Sequence, residues 1–258
     1  MKSQIATTLT AFALAGTSAA FPTIPSTFQP LRARNGTNAA RLAEQVAQVA
    51  PETTTCDLGK TPECRTNVDL APFLLSSLES YGVTEAGTVA AVVALTAFES
   101  ANYKYKHNVY PGTIGQGTAN MQMYEFNYQY ARSITALADD LAALGFQADD
   151  DTGAGATDDQ KTKVLALVTP DEYNFGSGAW YLTARCPETA KALAAGTDAA
   201  WQDYMTNCVG TTDTPEREAY WTRAKAAFGL QTSVKILIRL ALEKGAEREQ
   251  TGGEQARQ

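Results

Sequence analysis

The stretch Val89-Ala90-Ala91-Val92-Val93-Ala94-Leu95-Thr96-Ala97-Phe98-Glu99-Ser100 decides the fold. It is apolar nearly all round, with a start signal at Thr84/Gly87 just ahead of it. A segment of that kind is a helix sunk in the middle of a protein, because a surface helix keeps one polar face. Working outward, helices are predicted over residues 72–81, 84–101 and 120–144. Others follow at 159–168, 175–185, 187–195, 198–208, 214–228 and 231–244. Pro187 and Pro215 suit helix starts, and Gly196, Gly210 and Gly229 suit stops. Residues 102–120, rich in Gly, Tyr, Asn and Thr, read as an irregular loop with at most a small β-hairpin, and 149–159 as an acidic surface loop. The expected class is mainly α, one helical domain around a buried central helix.

The 258 residues carry 21 Lys plus Arg against 28 Asp plus Glu, a formal charge of −7. With no basic stripe to neutralise phosphates, a nucleic-acid partner is not expected. The single histidine, His107, excludes a two-histidine metal site. No metal and no cofactor is expected, and any chemistry falls to carboxylates.

Residues 1–20 read as a secretory signal: Lys2, then an apolar run, then Ser18-Ala19-Ala20. No run is long enough for a membrane anchor. A secreted, extracellular monomer is therefore expected. In an oxidising compartment Cys56, Cys64, Cys186 and Cys208 suggest two disulfides, with local pairing 56–64 and 186–208 preferred among three connectivities. Asn35-Gly36-Thr37 is a glycosylation sequon. Residues 21–55 read as a linker or pro-segment with a short helix, 56–244 as the folded domain, and 245–258 as a frayed tail.

Glu99 is the informative residue. A carboxylate leaving so apolar a helix is partly desolvated, which favours its neutral form. The partial negative charge at a helix C-terminus acts in the same direction. An acid still protonated near neutral pH is what protonating a leaving oxygen requires. The competing reading is an exposed helix end paired with Lys104 or Lys106.

Three blocks resemble the lysozyme-like superfamily, in particular goose-type lysozymes and soluble lytic transglycosylases. They are Glu99-Ser100, then Ala119-Asn120-Met121-Gln122 against the family's Gly-Leu-Met-Gln turn, then Asn174, Gly178, Tyr181 and Leu182 against its Asn-x-x-x-Gly-x-x-Tyr-Leu helix. Tyr204 stands near a later tyrosine segment that lacks a clean counterpart. The resemblance implies a lysozyme-like catalytic domain over 56–244 and a muramidase cleaving the β-1,4 bond of bacterial peptidoglycan. Glu99 would be the catalytic acid and base, with Ser100, His107, Met121, Gln122, Asn174, Tyr181 and Tyr204 on the substrate. No Asp or Glu lies between Glu99 and Glu125, which favours a one-carboxylate mechanism. The outcome is left open between hydrolase and lytic transglycosylase. The alternatives are a chitosanase- or chitinase-like enzyme and a non-catalytic glycan-binding protein.

Overall fold

The structure, a computed structural model, describes residues 31–230, with side chains from Asn38 onward. The signal at 1–20, the Asn35 side chain, the helix at 231–244 and the tail at 245–258 lie outside the described residues. Helices dominate: α1 (Leu31–Val49), α2 (Asn67–Ser80), α3 (Ala86–Glu99), α4 (Tyr124–Ser133), α5 (Ala138–Ala143) and α6 (Asp158–Val168). They continue with α7 (Asp171–Asn174), α8 (Ser177–Arg185), α9 (Pro187–Leu193), α10 (Asp198–Asp203) and α11 (Pro215–Ala227). Tyr204–Val209 prolongs α10 as a π-helical turn. Among the described residues β structure is confined to the isolated bridges His107–Gly117 and Gly117–Gln122. None of the described helices is long and apolar enough to cross a membrane.

The central helix is α3. Its residues from Ala90 to Ala97 are all buried, and α1, α8, α9 and α11 pack around it. Burying Val92, Val93 and Leu95 contributes about 1.5–3 kcal/mol each, an upper figure because the unfolded chain is itself partly compact. Gly87 lets the start of α3 meet the end of α9, since a Cβ there would lie 2.1 Å from the Leu193 carbonyl oxygen. Gly178 does the same for α8, where a Cβ would fall 2.6 Å from Thr96 Cγ2.

Residues 38–50, read as part of a linker, lie within the packed body. Leu42, Val46 and Val49 belong to the main core and Arg223 Nε donates to the Val49 carbonyl oxygen at 2.6 Å. The packed body thus begins before Cys56. A long helix over 120–144 is not formed. The chain breaks at Ile134, which is extended, and resumes through a short 3-10 turn into α5. Ser133, Ile134 and Thr135 account for the break: two β-branched residues and a serine whose Oγ donates to the Tyr130 carbonyl oxygen are weak helix formers.

Both local disulfides are present, Cys56–Cys64 and Cys186–Cys208, with Cα separations of 5.9 and 5.8 Å. A second apolar cluster forms from α4, α5, α6 and α8 around Tyr128, Tyr130, Val164 and Trp180. Trp201 and Trp221 stack in the first cluster, their indole N–H groups donating to Asp213 and Asp198.

Candidate functional site

The C-terminus of α3 delivers Glu99 into a cleft of about 220 Å³. Its walls come from the 116–123 loop (Gln116, Asn120, Met121, Gln122, Met123), Phe126 of α4, Tyr181 of α8, and Val209, Thr211 and Arg217. Glu99 is the only acid in this lining and Arg217 the only base. Arg217 Nη2 donates to Glu99 Oε1 at 3.0 Å, and both side chains are mostly buried. The guanidinium also lies over the Phe98 ring at 4.6 Å from its centroid and donates from Nη1 to the Thr212 carbonyl oxygen. Its Nε is buried without a hydrogen-bond partner.

Burial pushes the Glu99 carboxyl above the ordinary glutamate range, and the hydrogen bond and charge of Arg217 pull it back only in part. The group is thus disposed to hold a proton and, once ionised, is met by a cation. That combination suits a proton donor and acceptor.

The turn after Glu99 is bent sharply. Ala101, Asn102 and Tyr103 take φ of 51°, 63° and 58°, and Met121 in the facing wall takes 48°. Left-handed backbone at non-glycine residues costs roughly 1–2 kcal/mol each, and persists where the surroundings over-determine it. Here Ser100 does the holding. Its Oγ donates to the Thr96 carbonyl oxygen at 2.6 Å and accepts from the Tyr103 N–H at 2.9 Å. Tyr220 Oη donates to Asn102 Oδ1 at 2.7 Å from α11.

Of the residues expected to meet substrate, Met121, Gln122 and Tyr181 line the cleft with Glu99. Ser100 is buried in the turn it caps. Asn174 is buried behind the 116–123 loop, its carbonyl oxygen accepting from the Ala119 N–H. Tyr204 lies wholly in the core and its hydroxyl has no partner; burial pushes its phenol far up, and the nearby Tyr181 and Glu99 add to the shift. His107 is half exposed, outside the cleft lining, with Nδ1 2.8 Å from Glu63 Oε2. Lys104 and Lys106 are not partners of Glu99. Lys104 pairs with Glu52, and Lys106 with Asp171. Arg217, Gln116, Phe126, Val209 and Thr211 were not anticipated. Arg217 stands 118 residues from Glu99, so no local pattern couples them.

Among the described residues no group of three His, Cys, Asp or Glu side chains is placed to hold a metal ion. The four cysteines are all tied in disulfides, and the sole histidine is engaged with Glu63.

Comparison with known proteins corrects the function implied by the motif blocks. The chain is 45% identical over 161 residues to a protein of Fusarium oxysporum (strain Fo5176) named bifunctional dioxygenase–epoxy alcohol synthase. The match covers 62% of this chain and 12% of that protein, so the chain spans about one eighth of the relative's length. No family model matches the chain, and no solved structure matches it. A relative of that name overturns the muramidase reading, with its bacterial cell-wall substrate, its lytic transglycosylase variant and the other glycan-directed alternatives.

Proposed function

We propose that the chain is a helical module serving dioxygenase–epoxy alcohol synthase chemistry, with its cleft taking an oxygenated organic product rather than dioxygen. The observation that carries the reading is Glu99: a carboxyl held toward its neutral form by burial, at the end of a cleft rimmed by Met121, Met123, Phe126 and Val209. Such walls suit an apolar carbon skeleton, and Gln116, Asn120, Gln122, Thr211 and Arg217 beside Glu99 offer polar contacts to its oxygens.

The part that reacts with dioxygen is assigned to the remainder of the relative. Dioxygen chemistry draws on a redox-active metal or an organic cofactor. The described donor set does not fit a metal centre: its thiols are oxidised, its one histidine is engaged, and no acid cluster is available.

For an epoxy alcohol the step in this cleft is ring opening. Glu99 donates its proton to the epoxide oxygen as that C–O bond breaks, and water forms the new bond to carbon. The proton lost by water returns to the Glu99 carboxylate, so an epoxy alcohol plus water gives a triol. Arg217 meets the carboxylate between the two transfers. Positioned acid–base catalysis contributes about 10²–10⁴-fold.

The test is to incubate the purified chain and Glu99→Gln with an epoxy alcohol and follow the gain of one water by mass. Turnover by the native chain, reduced at least about a hundredfold in the variant, is the expected result. The absence of both binding and turnover with the native chain sinks the reading, and dioxygen uptake by the chain alone sinks the division of labour. Action outside the cell belongs to the same proposal, supported by the two disulfides. Recovery of the protein only from the cytosol of its source would remove it.

A further inference from the structure

The 107–114 loop presents an apolar tip to solvent. Tyr110 is 92% exposed, Val109 56% and Ile114 46%, and Met123, on the cleft wall, 40%. Single exposed apolar residues are ordinary; several together on one protrusion are not. Gly115 packs against Tyr124, where a Cβ would lie 2.9 Å from the tyrosine Cβ, so the base of the tip rests on the start of α4.

This tip is preformed. The Asn108 N–H donates to the Gln116 carbonyl oxygen at 3.0 Å, and the two side chains hydrogen-bond to each other. The Gly112 N–H donates to Asn108 Oδ1 at 3.2 Å, and the Gln116 N–H to the Thr113 carbonyl oxygen. Gln116 Nε2 reaches the Met121 carbonyl oxygen at 3.0 Å, tying the base of the tip to the cleft. A ready-made protrusion binds without the cost of ordering a loop.

Its charge is equally distinct. The chain carries −7, yet residues 100–124 contain no Asp or Glu, and 108–114 contain no charged side chain at all. Lys104 and Lys106 are held by Glu52 and Asp171 and leave the tip neutral. A neutral, exposed group of Val, Tyr and Ile, with a phenol to keep at the water boundary, matches the chemistry of a lipid–water interface.

We propose that Val109, Tyr110 and Ile114 insert into a lipid surface. The insertion stands on the tip alone and does not depend on the epoxide reading. The partner is a zwitterionic surface, since the acidic body is repelled by an anionic one.

The experiment uses the purified full chain and two sets of vesicles, one of phosphatidylcholine and one with a large share of phosphatidylserine. The native protein should co-sediment with phosphatidylcholine vesicles, with little response to salt, and more weakly with the anionic set. Tyr110→Trp should shift its emission to the blue on adding vesicles. Tyr110→Ser combined with Ile114→Ser should weaken binding at least about tenfold, as expected for withdrawing two apolar side chains from hydrocarbon. The circular dichroism and Tm of that variant should match the native protein, because the tip packs on no core. No co-sedimentation with phosphatidylcholine overturns the proposal. So does self-association without lipid that the double variant abolishes, which would assign the tip to a second copy of the chain.

Discussion

Two carboxylates flank the loop that follows α3, and they have opposite fates. Glu99 faces one cation on one oxygen; Asp171, at the start of α7, faces two, with Lys106 Nζ on Oδ1 and Arg65 Nε on Oδ2 at 2.7 Å. Their side chains are equally exposed, each at 20%. Burial pushes both upward. For Glu99 it prevails over Arg217, whereas the hydrogen bonds and charges of Lys106 and Arg65 outweigh it and hold Asp171 below the ordinary aspartate range. Glu99 is also surrounded by more protein than Asp171, so deeper burial and the weaker compensation by one cation together separate the two. Asp171 is a brace, binding the loop through Lys106 and the Cys56–Cys64 segment through Arg65. Glu99 keeps an oxygen free for a ligand.

Each region also has its own disulfide, and the largest expected effects lie there. Replacing Cys186 and Cys208 by serine opens a link spanning 22 positions beside the cleft, where Tyr181 Oη donates to the Cys208 carbonyl oxygen. A loss of ~3 kcal/mol is expected by denaturant unfolding. The same change at Cys56 and Cys64, 8 positions apart, should cost ~2 kcal/mol. If the second loss exceeds the first, the shorter link braces more of the fold than its loop length implies.

Next comes Asp171→Asn. It strips the neutralising charge from Lys106, whose side chain is only 10% exposed, and should cost ~2 kcal/mol at neutral pH. That is below the cost of breaking a fully buried pair, because Asp171 retains contact with water. The sign with pH follows from its lowered value. The stability from Asp171 is complete above the ordinary aspartate range and fades as pH falls through the folded value. Native and variant Tm should thus converge in acid, and a gap that persists there would assign the effect to packing.

Arg217→Met is a smaller, more local test of the contrast. Removing the one cation should raise the Glu99 pKa further, measured by NMR titration of its carboxyl carbon. No movement would mean that Arg217 does not act on Glu99 in solution.

The smallest effect is Glu99→Gln on stability, within about 1 kcal/mol. Because the folded carboxyl sits above its unfolded value, the native protein loses stability as pH rises from the ordinary carboxylate range through the raised one. Glutamine lacks that ionisation, so the Tm of the variant should gain on the native protein between acid and neutral pH. The reverse trend would place Glu99 with Asp171.

The motif blocks show why a local likeness misled about chemistry. Ser100 caps the turn, Gly178 clears Thr96, and Asn174 is buried under the loop, so three of the matched residues answer to packing. Blocks of this kind report how helices meet, which several chemistries can share. Glu99 itself was legible, because one acid ending an apolar helix is a contrast confined to neighbouring residues. Its partner was not legible for the opposite reason: Lys104 and Lys106, offered by the competing reading, are close in sequence, but the backbone bends away through Ala101–Tyr103 and spends them on Glu52 and Asp171.

The amino-acid order by itself determined the helical class, the burial of α3, a preference for two short-range disulfides and the placing of an acid at the end of that helix. These depend on periodicity, composition and small separations along the chain. Tertiary structure alone decided that Arg217 meets Glu99, that Tyr204 and Asn174 withdraw from the cleft, and that residues 38–50 join the core. Those outcomes rest on contacts between distant segments, where the geometry of packed helices, rather than any local pattern, selects which polar groups share a buried space.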